Sequence, residues 1–259
     1  MSATVKGAAA LGATAVVVGG TGVGAKFLLD AQEPHCVRLK SPATGKYGED
    51  YKRYFAESNG SENDKWWNWV FKNRYEKDTR DSSANRHEPL SKFKSLESGS
   101  GVDKSLKKVC GEAYADEKAN VVVSSSAKTD NTKYSEEDVW RYCSIFGNKP
   151  KTLREVKADD VSRKNNTFAK TKEDVLIDIA DPANQRFWDE QNTYFFGLKE
   201  TELNAGEKSI FKALYKKQNK GQEDTIKNVC EEAYKKQSTV SDGSTTDAEL
   251  LKFCSLKGK

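Results

Sequence analysis

The sequence predicts an all-α protein: an N-terminal transmembrane helix followed by two tandem repeats of a small helical bundle. Three observations predict it. Gly7 to Ala25 carries no charge, and Phe27-Leu28-Leu29 extends the apolar run to about 23 residues. That length crosses a roughly 30 Å hydrocarbon layer at 1.5 Å per residue. Leu106-Lys107-Lys108-Val109-Cys110-Gly111-Glu112-Ala113-Tyr114 returns in register as Ile226-Lys227-Asn228-Val229-Cys230-Glu231-Glu232-Ala233-Tyr234. Trp67 stands 43 residues before Cys110, and Trp188 stands 42 before Cys230. Landmarks in one order at nearly equal spacing are the mark of an internal duplication.

Two further echoes extend it. Asn63-Asp64-Lys65-Trp66-Trp67 is answered by Asn184-Gln185-Arg186-Phe187-Trp188, and Val139-Trp140-Arg141-Tyr142-Cys143-Ser144 by Leu250-Leu251-Lys252-Phe253-Cys254-Ser255. The chain therefore divides into an anchor or signal segment, 1–33, a first repeat, 34–150, and a second, 151–259. At 259 residues it suits two domains of modest size. Apolar residues at 36 % against 32 % charged imply small cores, with the aromatic rings supplying much of the burial. The net charge of +4 is spread along the chain, without the basic clustering that nucleic-acid binding requires.

The N-terminal run is rich in Ala, Gly, Val and Thr. It reads as a retained anchor inserted through residues 7–29, or as a signal peptide cleaved after Ala25. Gly20 and Gly24 leave room for a second helix, and hence for homo-association. Gly20, Gly22 and Ala25 also mimic a dinucleotide-binding turn. Pro34 ends any following helix too early, and no strand–helix alternation follows, so an enzyme binding nucleotide through the Gly20–Ala25 loop is the weakest reading. Lys26, Arg38 and Lys40 after the span favour a cytoplasmic body, which would make the chain a membrane-tethered adaptor. Paired cysteines favour an oxidising exterior, the orientation adopted here: single-pass in the cell membrane with most of the chain outside.

In the first repeat, Ser41 to Asn63 reads as loop with a short helical piece at Tyr51–Phe55. Lys65 to Tyr75 is a helix carrying Trp66, Trp67, Trp69, Val70 and Phe71, apolar over more than one face and so gripped on two sides. Asp78 to Pro89 is a polar loop holding His87, one of two histidines. Leu90, Phe93 and Leu96 mark a short helix ended by Ser98-Gly99-Ser100-Gly101. Val102, Leu106, Val109, Cys110, Ala113 and Tyr114 fall at helical spacing, which buries the cysteine. Val121–Lys133 is a loose segment. Ser135-Glu136-Glu137-Asp138 makes a capping box before Val139, Tyr142, Cys143 and Phe146. Its three acids need no catalytic explanation, because a first helical turn favours negative charge.

In the second repeat, Thr171-Lys172-Glu173-Asp174 caps a helix with Val175, Leu176 and Ile179. Asp181-Pro182 starts another, with Phe187, Trp188 and Phe195, ending at Gly197. Ile210, Phe211 and Leu214 form a third. The echo helix carries Ile226, Val229, Cys230, Ala233 and Tyr234, and Thr246 begins the last, with Leu250, Phe253 and Cys254 inside.

Each repeat thus has one cysteine on its penultimate helix and one on its last. Cys110 with Cys143, and Cys230 with Cys254, either form a disulfide clamp or remain buried thiols, depending on the compartment. Trp67, Trp188, Tyr114 and Tyr234 are core anchors. No Cys-x-x-Cys pattern and only two histidines leave no zinc site, and no cofactor is expected. Cys36 beside His35 invites a cysteine–histidine pair, but neighbours in sequence rarely reach the required geometry, so an intermolecular disulfide or an idle thiol is expected. No catalytic residues are expected, and the chain reads as a non-enzyme.

The pattern resembles large paralogous families in haemotrophic mycoplasmas, wall-less bacteria that live on red blood cells. The matching parts are Met1-Ser2-Ala3 with Lys6-Gly7-Ala8-Ala9, the Gly/Ala-rich segment and Val37-Arg38-Leu39. The Trp…Tyr helix, the Leu-Lys-x-x-Cys helix and the aromatic-x-Cys ending also match, each appearing twice. Arg141-Tyr142-Cys143 and Lys252-Phe253-Cys254 depart from the usual Trp-Cys, as does the unpaired Cys36. The resemblance implies membrane-anchored, exposed proteins with no established activity. It further implies a part in varying the surface shown to the host, with a host surface protein or an antibody as partner.

Overall fold

A computed structural model describes residues 32–83, 86–101, 103–156, 166–239 and 242–257. The chain separates into Met1–Pro34 and a unit spanning His35–Lys259, which holds both repeats. In the first repeat α1 is Tyr47–Tyr51 and α2 is Asp64–Val70. α2 continues through a π-helical turn, Phe71–Tyr75, into α3, Glu76–Arg80. A 3-10 turn at Ser91–Phe93 precedes α4, Leu106–Ala115. Then come β1 (Val121–Val122), α5 (Ser124–Thr129), β2 (Tyr134–Ser135) and α6 (Glu136–Asp138), with a second π turn at Val139–Cys143. The second repeat runs α7 (Leu153–Val156), α8 (Phe168–Thr171), a 3-10 turn at Pro182–Asn184 and α9 (Gln185–Gly197). α10 (Glu200–Leu203), α11 (Ile210–Lys216), α12 (Ile226–Lys235) and α13 (Asp247–Cys254) complete it.

The all-α expectation is corrected. The described chain is about half helical and contains a small parallel sheet, Val121 opposite Tyr134 and Val122 opposite Ser135. β-Branched Val121 and Val122 suit an extended, half-buried edge better than a helix. Isolated bridges recur in both repeats: Arg38 with Ala56 and Phe55 with Ser144 in the first, Thr152 with Ile177 and Leu176 with Ser255 in the second. Those last pairings also displace the helix expected after Thr171. Leu176 and Ile177 are fully buried as extended chain, Val175 is exposed, and Thr167 instead caps α8.

The membrane location is corrected too. No helix of the described residues is long and apolar enough to cross a membrane. The longest uninterrupted α-helix among them, α9, has 13 residues, about 20 Å at 1.5 Å per residue. The expected span at 7–29, with Gly20, Gly24 and the Gly20–Ala25 loop, lies outside the described residues. A single-pass cell-membrane protein therefore has no support here.

The two repeats share a single apolar core. Tyr54 and Phe146 of the first meet Phe187 of the second, with ring centroids 6.1 and 6.3 Å apart. Arg53 stacks on Tyr194 at 3.4 Å and donates to Gln191 at 2.7 Å, while Arg38 pairs with Glu190 at 3.1 Å. Arg53 thus covers an aromatic face while its charge stays hydrogen-bonded.

Gly99 fixes how closely the chain leading to α4 approaches α2. A Cβ there would lie 2.3 Å from the Trp67 carbonyl oxygen and 2.5 Å from the Asn68 Cα. Both atoms are backbone, so the helix itself must move. Gly99→Ala is expected to destabilise by about 1–3 kcal/mol in urea unfolding, as overpacked sites do. Gly197→Ala, with nothing within 4 Å, should be neutral or slightly stabilising.

Candidate functional site

The frame of the site is the same in both repeats. In the first, the Asn63 amide donates to the carbonyls of Val37 and Glu57 at 2.8 and 3.0 Å, and its oxygen accepts from Val37 N at 2.8 Å. In the second, Asn184 makes the same three bonds to Lys151 and Asp178, at 2.9, 2.9 and 2.8 Å. The indole of Trp67 donates to the Glu57 carbonyl and that of Trp188 to the Asp178 carbonyl, both at 3.2 Å. Each amide and indole is buried, so each satisfies backbone groups that water cannot reach.

The other sequence-predicted residues close the frame. Cys110 is bonded to Cys143 and Cys230 to Cys254, with Cα–Cα distances of 5.6 and 5.8 Å. Tyr114 donates to the Cys143 carbonyl at 3.1 Å. Tyr234 donates to the Ile177 and Cys254 carbonyls at 2.9 and 3.3 Å. Each disulfide therefore ties the chain end of the last helix to α4 or α12, and the tyrosine one turn further along that helix donates to the carbonyl of the second cysteine. Cys36 is buried and outside both bonds.

The repeats differ in what lies between these anchors. In the second, α11 packs as a regular helix capped by Ser209, whose hydroxyl donates to Glu249 on α13. Asp138 on α6 holds the place of Glu249: each is the residue whose N–H the helix cap receives. Asp138 is fully buried and takes different partners. Its Oδ2 accepts from Leu90 N at 2.8 Å, and its Oδ1 lies 2.6 Å from His87 Nε2. The other ring nitrogen, Nδ1, is 3.2 Å from Glu137 Oε1. Glu137 Oε2 also accepts from Ser124 on α5 at 2.8 Å.

Behind the histidine, the π turn at Val139–Cys143 aims two consecutive side chains at one acid. Arg141 forks onto both oxygens of Asp78, and Tyr142 donates to Asp78 Oδ2 at 2.8 Å. The His87 and Tyr142 rings meet edge to face at 5.8 Å. Such π turns concentrate at functional positions, and α9 and α13 of the second repeat have none. Burial, with Asp78 beside it, pushes the Tyr142 phenol well above its ordinary range. Burial also raises Asp138, against the opposing pull of His87 and the Leu90 N–H.

Residues 86–90 and α5 face each other across a polar cleft of 660 Å³. Arg86, His87 and Glu88 form one wall, Ser124 and Lys128 the other, and Glu137 the floor. A second cleft of 430 Å³ shares Ser124 and Glu137 and is lined further on by Lys149 and Lys151.

Glu137 stands between Ser124 and His87, so Ser124 hydrogen-bonds a carboxylate and not the imidazole. No group of three or more His, Cys, Asp or Glu among the described residues is placed to hold a metal ion. The expectation that Glu136, Glu137 and Asp138 merely complement a helix dipole is corrected: Asp138 is the buried partner of His87. The pairing spans 51 residues. The one local hint was a histidine in a polar loop ahead of an acidic helix start. No family model matches the chain, and neither does any characterised protein or solved structure.

Proposed function

We propose that the chain is a non-catalytic recognition protein in which two disulfide-clamped repeats form a stiff frame and the first repeat presents its polar cleft to a partner. One observation carries this reading. The Asn–Trp–Tyr–disulfide frame recurs bond for bond, whereas the segments that differ between repeats, around residues 86–90 and 123–128, are the ones that meet in the cleft. A surface loop tolerates change of length at small entropic cost, so such a frame supports variation where the partner touches. Two internal disulfides suit an oxidising compartment. Arg86 and Lys128, both exposed on opposite walls, favour a partner segment carrying negative charge. A host surface protein fits the resemblance noted above.

The test is binding of the full chain to red-cell membrane proteins. Reversing both charges, Arg86→Glu with Lys128→Glu, should weaken binding about a hundredfold, since each lost contact of this kind costs about 1.4 kcal/mol, a factor of about ten, or more when the partner's charge is left facing a like charge. The matching reversal at Lys216 and Lys217 of the second repeat should leave it unchanged. Equal loss from both pairs, or none from either, overturns the assignment of the cleft.

A further inference from the structure

Two carboxylates meet one imidazole at His87, and that decides which form of the ring fits. Nε2 faces Asp138 at 2.6 Å and Nδ1 faces Glu137 at 3.2 Å. A neutral imidazole has one N–H and one lone pair, so one nitrogen would have to present a lone pair to a carboxylate. The imidazolium donates to both. The side chain keeps only 12 % of its exposure, which limits how far water can replace either bond.

The surrounding charges are few and come from four elements. On α6 and its π turn stand Glu137, Asp138 and Arg141, with Asp78 of α3 held behind Arg141 and Tyr142. On the histidine's own segment stand Arg86 and Glu88. Across the cleft on α5 stands Lys128. The second repeat supplies an internal control, because Glu249, in the place of Asp138, receives the hydroxyl of Ser209, a donor that does not titrate.

We propose that residues 86–90 are a proton-operated strap: protonated His87 holds the segment on α6, and loss of that proton frees it and widens the cleft it walls. Leu90 is the far end of the strap, its N–H donating to the same Asp138 that holds the ring. Glu137 joins the strap to α5 through Ser124, so release is felt on both walls.

The direction of titration agrees. Burial alone would lower His87, but the hydrogen bond and charge of Asp138, with the charge of Glu137, outweigh burial and the opposing Arg141, leaving it above its ordinary value. A raised histidine contributes stability that is complete below the unfolded value and is lost as pH rises through the folded one. The strap is therefore closed below the ordinary histidine value and opens as pH rises through the raised one. It bears on recognition only if the cleft is the binding surface proposed above.

The test is amide exchange by NMR on the full chain, corrected for the intrinsic pH dependence of exchange. Between about pH 6 and about pH 8.5, protection of the Leu90 amide should fall about tenfold, with the midpoint of the His87 ring signal. Only two histidines are present, so that signal is resolved readily. The Ile210 amide of the second repeat, which donates to the Ser244 carbonyl at 3.0 Å, should not respond over the same range. His87→Gln should remove the pH dependence at Leu90 while leaving Ile210 protected. Constant Leu90 protection across the His87 titration overturns the strap, as does an equal fall at Ile210 or a fall that persists in His87→Gln. The readout needs no partner, so it can fail while the cleft still binds, and a cleft that binds nothing does not alter it.

Discussion

Replacing Cys110 and Cys143 together by alanine is expected to lower the stability of the unit by about 3–4 kcal/mol. The bond closes 33 residues of chain, and in the unfolded state that closure removes conformations the free chain would otherwise recover. Both sulfurs are fully buried, so alanine adds a small void without adding an unpaired polar atom, which serine would. The Cys230–Cys254 bond closes 24 residues. Because closure entropy grows only with the logarithm of loop length, its removal should cost within about 0.3 kcal/mol of the first. Each loss is about a fifth or more of the 5–15 kcal/mol typical of a whole domain. Guanidinium unfolding measures it. A single cooperative transition shifted by similar amounts in the two double variants is the expected result, since the repeats share one core. Two separate transitions, or a midpoint unmoved by either change, would contradict it.

Trp188→Ala should cost about 3–5 kcal/mol, and Trp67→Ala the same, the range for emptying a buried aromatic site. Trp67 is fully buried and stacks edge to face on Trp66 at 4.8 Å, as Trp188 does on Phe187 at 4.9 Å. Truncation also removes a donor from a buried carbonyl, Glu57 in one repeat and Asp178 in the other. The asparagine amide still serves that carbonyl, so the hydrogen bond is the smaller part of the loss. Trp188→Phe separates the two effects: it keeps most of the packing and loses the donor, and should cost about 1–2 kcal/mol. Urea unfolding of the three variants gives the order. Matching values at the two tryptophans would show equivalent surroundings, and a several-fold difference between them would not.

Much of the frame could be read from residue order. Val109, Cys110, Ala113 and Tyr114 recur at helical spacing, and that spacing alone puts the cysteine on the inner face. Ser135 and Thr246 stand where helix starts need side-chain oxygens, and both accept the expected backbone N–H. Asn63 and Asn184 were visible as echoes, yet nothing local said that each amide would bridge two carbonyls from separate stretches of chain. Thr171-Lys172-Glu173-Asp174 looked like a cap of equal quality and is not one. Leu176 and Ile177 gain more as extended chain paired with Ser255 and Thr152 than as helix, and a local pattern does not contain those partners.

The candidate site was less legible for the same reason. His87 and Asp138 lie 51 residues apart, and the acid start of α6 had a sufficient local explanation in the helix dipole. The π turn that aims Arg141 and Tyr142 at Asp78 left no trace in the apolar period, because one extra residue per turn changes which side chains meet without changing which are buried.

Residue order by itself determined the duplication, the inner faces of the helices and the positions of the four clamped cysteines. These follow from repeating patterns and short-range periodicity, which act within a few turns of chain. Tertiary structure alone decided that His87 lies between two carboxylates and that the unlike segments of the first repeat share a cleft. Those outcomes depend on which distant groups a folded backbone brings within about 3 Å, and only packing sets that distance.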